Sequence, residues 1–119
     1  EEIKNYLTQH NITATLHESG LYYNIISEGT GKSIDKCSEV TVNYTGKLAN
    51  NSVFDGTNDM TFGLNNLING WRLGLPLIKE GGKIILYIPA YLAYGSDGVP
   101  PSIPGNAMTI FEIEVIKVQ

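Results

Sequence analysis

Cysteine occurs once in the chain, at Cys37, so no intrachain disulfide can form and the redox compartment stays open. The thiol stands in a polar stretch with Lys36 as its only flanking cation, which reads as a bystander and not as an activated nucleophile. Arginine also occurs once, at Arg72, and the eight basic residues are scattered. Without a Lys/Arg cluster to follow a phosphate backbone, nucleic acid is not an expected partner. The two histidines, His10 and His17, have no acidic pair at ligand spacing, so no metal site is expected. Gly29-Thr30-Gly31 is too short for a phosphate-binding loop and opens no helical pattern. The longest apolar runs, such as Ile84–Ile88, fall far short of the ~20 residues that span a bilayer. Internal repeats and low-complexity segments are missing too.

What is present is a chain of 119 residues, 42% hydrophobic and 17% charged, with a net charge of −4. Disorder would need less apolar content and more net charge. A chain of this length buries roughly two-thirds of its unfolded surface, enough for one core. Three Asn-x-Ser/Thr tripeptides, at Asn11, Asn43 and Asn50, are read as chance in a chain with eleven asparagines.

Ile3, Tyr6, Leu7 and His10 fall at helical spacing behind Glu1 and Glu2, which predicts a short amphipathic helix over 1–10. So short a helix must dock to persist. From Leu21 the period becomes two. Leu21, Tyr23 and Ile25 alternate with Tyr22, Asn24 and Ile26, a strand that stops at Glu28-Gly29-Thr30-Gly31. Val40, Val42, Tyr44 and Leu48 alternate with Thr41, Asn43, Thr45 and Lys47, and Asn50-Asn51 predicts a hairpin turn into Val53–Gly56. Phe62 is assigned to a next strand. Leu64, Leu67, Ile68, Trp71 and Leu75 then share one helical face until Pro76. Ile84, Leu86 and Ile88 form another strand face, as do Phe111, Ile113 and Val115 within Met108–Val118. Between them, 89–107 holds four of the five prolines, and Tyr91, Leu92, Tyr94 and Ile103 are expected to anchor it as an ordered loop. The sum is an α+β domain, an antiparallel sheet with a short helix across it.

The eleven aromatics are the remaining chemistry. Tyr44, Phe54, Phe62, Trp71, Tyr94 and Phe111 fall at strand ends, on the helix and in the long loop. Such a set either fills an ordinary core or lines a pocket, and the residues alone leave both open. Their motifs carry more. Val42–Gly46, Phe54-Asp55-Gly56, Leu67–Trp71, Ile88-Pro89, Leu92–Gly95, Ile103–Ala107 and Ile110–Val115, in this order, resemble the FKBP-type peptidyl-prolyl cis-trans isomerases. The resemblance runs from Leu21 to Val118.

The resemblance implies an FKBP-like half-barrel, a twisted five-stranded antiparallel sheet wrapped around one short helix. Residues 1–20 would be an N-terminal helical extension and 21–119 the isomerase domain. It implies catalytic roles for Tyr44, Phe54, Asp55, Trp71, Tyr94 and Phe111, and substrate contacts from Phe62, Leu67, Ile68 and Ile103. Trp71 would floor the prolyl site, while the Tyr94 hydroxyl and the Ile68 N–H would hold substrate carbonyls. No metal or cofactor is implied. The implied partners are X-Pro-containing polypeptides and a macrolide ligand.

This chemistry suits a chain without a nucleophile. Rotation about a peptide bond meets a barrier of about 18–20 kcal/mol because resonance must be broken, yet no bond is cleaved. A thousandfold gain needs only about 4 kcal/mol.

Three departures from the family pattern stand out. Asn58-Asp59 occupies the stretch where many relatives carry an arginine that holds the aspartate equivalent to Asp55. Met60 replaces an aromatic, and Val99-Pro100-Pro101-Ser102 gives the loop a proline-rich rim. Other readings are an FKBP-like binding or chaperone module with little turnover, and a sugar-binding β-module. The N-terminal helix, the Ser19–Tyr23 segment and the asparagine content look like exported bacterial members, periplasmic or lipid-anchored after signal removal. A cytoplasmic location stays open.

Overall fold

The structure is a computed structural model that describes residues 2–35, 37–50, 52–95, 97–99 and 103–118. An N-terminal helix α1 (Glu2–Gln9) precedes strands β1 (Thr15–Leu16), β2 (Tyr22–Ser27), β3 (Glu39–Leu48) and β4 (Val53–Gly63). Helix α2 (Asn69–Gly74), β5 (Lys83–Ile88) and β6 (Thr109–Val118) complete the chain. The strands form one antiparallel sheet in the order β1-β2-β5-β6-β3-β4. The five strands expected are β2 to β6; β1 adds a two-residue edge that the sequence pattern did not announce.

Alternation decides which face of the sheet meets the helix. Ile84, Leu86 and Ile88 of β5, Ile113 and Val115 of β6, and Val40 and Val42 of β3 are fully buried on the concave face. Trp71 and Leu75 pack there from α2 and the turn that follows it, in one core with Leu21, Leu64 and Ile78. Glu112 and Glu114, between the buried residues of β6, face solvent.

The helical stripe predicted over 64–75 is real as a buried face but not as one helix. Leu64–Asn66 and Leu75–Leu77 are 3-10 turns, and α2 is only the six residues Asn69–Gly74. Leu67 and Ile68 are extended, with ψ of 168° and 155°, which breaks the first half. Pro76 removes a donor at the other end. The middle lies directly on the sheet: a Cβ on Gly70 would come within 2.5 Å of Ile88 Cδ1. Gly70→Ala should therefore lower the urea midpoint by the equivalent of about 1 kcal/mol, overpacking outweighing the helix preference for alanine.

The opposite face of the sheet is covered by α1. Ile3, Tyr6 and Leu7 pack with Tyr87, Met108 and Ile110 in a second apolar cluster, so the docking demanded by the helix's shortness occurs on the convex side. Between Met108 and Ile110 in the chain, Thr109 is fully buried and its Oγ1 has no hydrogen-bond partner among the described residues. Thr109→Val keeps the shape and removes the orphan hydroxyl. It should raise stability by up to about 1 kcal/mol in denaturant titration; a loss would mean the hydroxyl has a partner.

Two further expectations change. Phe62 does not start a new strand, because β4 runs unbroken from Val53 to Gly63. Asn58 and Asp59 form a bulge opposite Asn43, where the pairing shifts from Val42–Met60 to Tyr44–Thr57. The Asp59 N–H donates to Asn43 Oδ1 at 2.9 Å, and Asp59 takes a φ of 54°. In the long loop, Leu92 and Ile103 are buried as expected, but Tyr91 is 66% exposed. It ties the loop by its hydroxyl, which donates to the Ser19 carbonyl, and not by burial. A bridge between Val99 and Ile103 and the Asn106 N–H donating to the Gly95 carbonyl hold the rest of the described loop. Asn51 of the predicted hairpin turn and Pro100–Ser102 of the predicted rim lie outside the described residues. The Leu48 N–H donates to the Ser52 carbonyl at 2.9 Å across that turn.

Candidate functional site

Trp71 is 3% exposed, and its indole is enclosed by rings from three strands. Tyr44 of β3 stands at 5.2 Å and 84° to it, Phe111 of β6 at 5.3 Å and 80°, and Phe62 of β4 at 5.9 Å and 79°. All three stand nearly perpendicular to the tryptophan, the T-shaped geometry that aromatic quadrupoles favour. The result is a floor with upright walls. Phe54 continues the ring cluster, roughly perpendicular to both Phe111 at 5.6 Å and Tyr94 at 6.2 Å. Gly46 makes room for it: a Cβ there would lie 2.7 Å from Phe111 Cε1 and 3.0 Å from Phe54 Cζ.

Above this floor is a cavity of about 180 Å³, lined by Tyr44, Asp55, Phe62, Asn66, Leu67, Ile68, Trp71, Tyr94 and Phe111. At ~30 Å³ per water it holds roughly six waters, the scale of one small ring. Eight of the ten residues singled out from the sequence line it. Phe54 does not; its ring contacts are with Tyr94 and Phe111. Ile103 does not either; it is buried in the loop, paired with Val99. Asn66 was missed. It is exposed, and only its place one residue before Leu67 could have drawn attention to it.

A larger cavity of about 530 Å³ lies between α1, the β1–β2 turn and Tyr91, with Ile3, Leu16, Tyr22 and Met108 among its walls. No ring box closes it. The smaller cavity is the better candidate because its donors converge.

Two groups at the small cavity have unused hydrogen-bonding capacity. The Ile68 N–H, in the extended link ahead of α2, donates to none of the described residues. The Tyr94 hydroxyl has none as partner either; its pKa is pushed up by burial first and by the Asp55 charge second. The one carboxylate, Asp55, is exposed at the rim. Its Oδ2 accepts from the Tyr44 hydroxyl at 2.8 Å and its Oδ1 from the Gly56 N–H at 2.8 Å. Those two donors fix the carboxylate in place.

Tyr44 is pushed up to about 12, chiefly by burial and then by its hydrogen bond to Asp55. Burial also raises Tyr87, on the opposite face. A raised folded-state pKa means that the unfolded chain loses its phenolic protons first. Stability from these groups is thus complete below pH ~10 and is lost as pH rises towards about 12. Urea midpoints measured across that window should fall less steeply in Tyr44→Phe. An unchanged slope would assign the loss to Tyr87 and Tyr94.

A half-barrel sheet closed on a tryptophan-floored, single-ring cavity defines a small binding pocket with two donors that have no partner among the described residues. Comparison with known proteins agrees. The profile of the FKBP-type peptidyl-prolyl cis-trans isomerase family matches residues 31–116, and the chain belongs to that family. It is 45% identical over 105 residues to a probable FKBP-type peptidyl-prolyl cis-trans isomerase of Haemophilus influenzae, an alignment covering 85% of this chain and 44% of that protein. It is 42% identical to an FK506-binding protein of Neisseria meningitidis, covering 83% of this chain and 96% of that one. The crystal structure of FkpA from Escherichia coli superposes with a TM-score of 0.91 at 35% identity, over 99% of this chain and 58% of that one. The chain thus spans less than half the length of the Haemophilus relative.

Proposed function

We propose that the chain accelerates cis-trans rotation about X-Pro bonds in polypeptides by seating the prolyl ring on Trp71. The observation that carries this is the pairing of a single-ring aromatic cavity with two donors that have no partner among the described residues. Tyr94 and the Ile68 N–H take up the carbonyls on either side of the ring. Tyr44, Phe62 and Phe111 exclude water from it. Phe54 holds Tyr94 and Phe111 in place, and Ile103 supports the loop that carries Tyr94. The twisted amide has less charge separation than the planar one, so a dry apolar site favours it over the hydrated ground state. Contacts to flanking residues that strengthen on twisting add to this.

The test is an isomerisation assay on X-Pro peptides. Wild type should exceed the uncatalysed rate, and Tyr94→Phe should lose about fivefold in kcat/KM, the worth of one hydrogen bond near 1 kcal/mol. A wild-type rate equal to the uncatalysed one would sink the reading, and leave binding or chaperone action as the pocket's use.

The same pocket is proposed to take a macrolide, which should quench Trp71 fluorescence at saturation. Residues 1–20 are proposed as an extension to an isomerase domain over 21–119. Among the described residues no helix is long and apolar enough to cross a membrane. Export to the periplasm, with or without a lipid anchor, is proposed on the sequence pattern alone; fractionation of cells making the full-length protein tests it.

A further inference from the structure

Asp55 is the only charged residue lining the small cavity. Its two hydrogen bonds come from neutral donors, the Tyr44 hydroxyl and the Gly56 N–H, so its charge is fixed in place but not cancelled. A carboxylate has about four lone-pair positions, and two of these remain for a ligand.

The nearby cations are engaged elsewhere. Lys47 lies on the other face of β3 and pairs with Glu112 at 3.4 Å, the one salt bridge among the described residues. Arg72 projects from α2, where its Nη1 donates to Asn69 Oδ1 at 3.2 Å, and it does not line the cavity. The bulge that replaces the family arginine brings Asp59, another acid, and the whole chain carries −4. The site therefore presents a fixed negative charge at the lip of an apolar cavity, with no internal counter-ion among the described residues.

We propose that this carboxylate makes the site selective for prolyl segments with a basic side chain flanking the Xaa-Pro bond, against acidic ones. The inference rests on the isomerase reading and adds its substrate class. Each unit of charge on the substrate near Asp55 should change kcat/KM about threefold at low salt, the scale of a solvent-facing charge pair. The preference should shrink as the Debye length falls below the separation.

The experiment measures exchange rates by NMR, without a coupling protease, on three peptides of the form Xaa-Leu-Pro-Xaa with Xaa lysine, glutamine or glutamate. Wild type should rank lysine over glutamine over glutamate, about tenfold from end to end at low salt, because only one of the two Xaa side chains stands near Asp55 and it changes by two charge units. Asp55→Asn should bring the ratio close to one and Asp55→Glu should restore it. Glu112→Gln, which removes a negative charge from the far face, should leave it intact. Equal rates for the three peptides in an active wild type would overturn the proposal, as would a ratio that survives Asp55→Asn. Absence of turnover on all three would instead count against the isomerase reading. If Asp55→Asn does not fold, the salt dependence of the wild type decides. Its lysine-to-glutamate ratio should shrink towards one as salt rises to about 1 M, where the Debye length is about 3 Å, and a ratio unchanged by salt would overturn the proposal.

Discussion

Trp71→Leu should lower stability by about 3 kcal/mol and cut kcat/KM on X-Pro peptides at least about tenfold. The side chain is 3% exposed and shares a cluster with Leu64, Leu75, Leu86 and Phe111, so truncating it opens a void in the main core. It also removes three edge-to-face contacts, each worth roughly 0.5–1.5 kcal/mol. The two losses have separate readouts. Urea unfolding with an unchanged m-value reports the core, and the rate on a fixed peptide reports the floor of the pocket. A variant that loses stability but keeps its kcat/KM would make Trp71 a packing residue only. The remaining rings would then have to define the prolyl site without a floor.

Leu7→Asp should release α1 from the convex face without unfolding the half-barrel. Leu7 is 7% exposed in the cluster with Tyr87, Met108 and Ile110, and a carboxylate there has no partner. Eight residues cannot remain helical alone, so the response is undocking and fraying together. Amide exchange in 2–9 should then accelerate at least ~100-fold, while β3, β5 and β6 keep their protection. Tyr87 should titrate closer to its ordinary value, since burial is the first cause of its shift and Tyr6 the second. Turnover should persist, because no residue of α1 lines the small cavity. Cooperative loss of the whole fold would show that residues 1–20 belong to the domain and are not an extension of it.

The two predictions probe opposite faces of one sheet, and the faces differed in how far the sequence exposed them. On β5 and β6 the alternation of Ile84, Leu86 and Ile88, and of Phe111, Ile113 and Val115 with Glu112 and Glu114, gives both the strand and its buried side. Pro76 marks the end of the helical segment, and the N-terminal spacing of Ile3, Tyr6 and Leu7 shows that α1 must dock. None of these needs a distant partner to be read. The motif order from Val42 to Val115 likewise carries the family and its fold, because those residue types recur at set intervals along the chain.

Period-two reasoning breaks at β4, and there the site is decided. Asp55 pairs with Gly46, and Thr57 with Tyr44, so they share the Tyr44 face only because the Asn58-Asp59 bulge adds one residue to the strand. A second register shift, between Gly46 and Lys47, leaves Phe54 over and lets it reach Phe111 although its neighbour Asp55 also serves the site. Straight alternation would have sent adjacent residues to opposite faces. The surface of the sheet that α1 covers and the cross-strand bond from Tyr44 that holds Asp55 depend on such pairings.

By itself, then, the sequence determined an α+β half-barrel, a helix that must dock and a set of aromatics in family order. Local spacing and residue type suffice for those. Only the tertiary structure decided which rings close on Trp71 and what holds Asp55, because register shifts and contacts between distant strands leave no periodic trace in the chain.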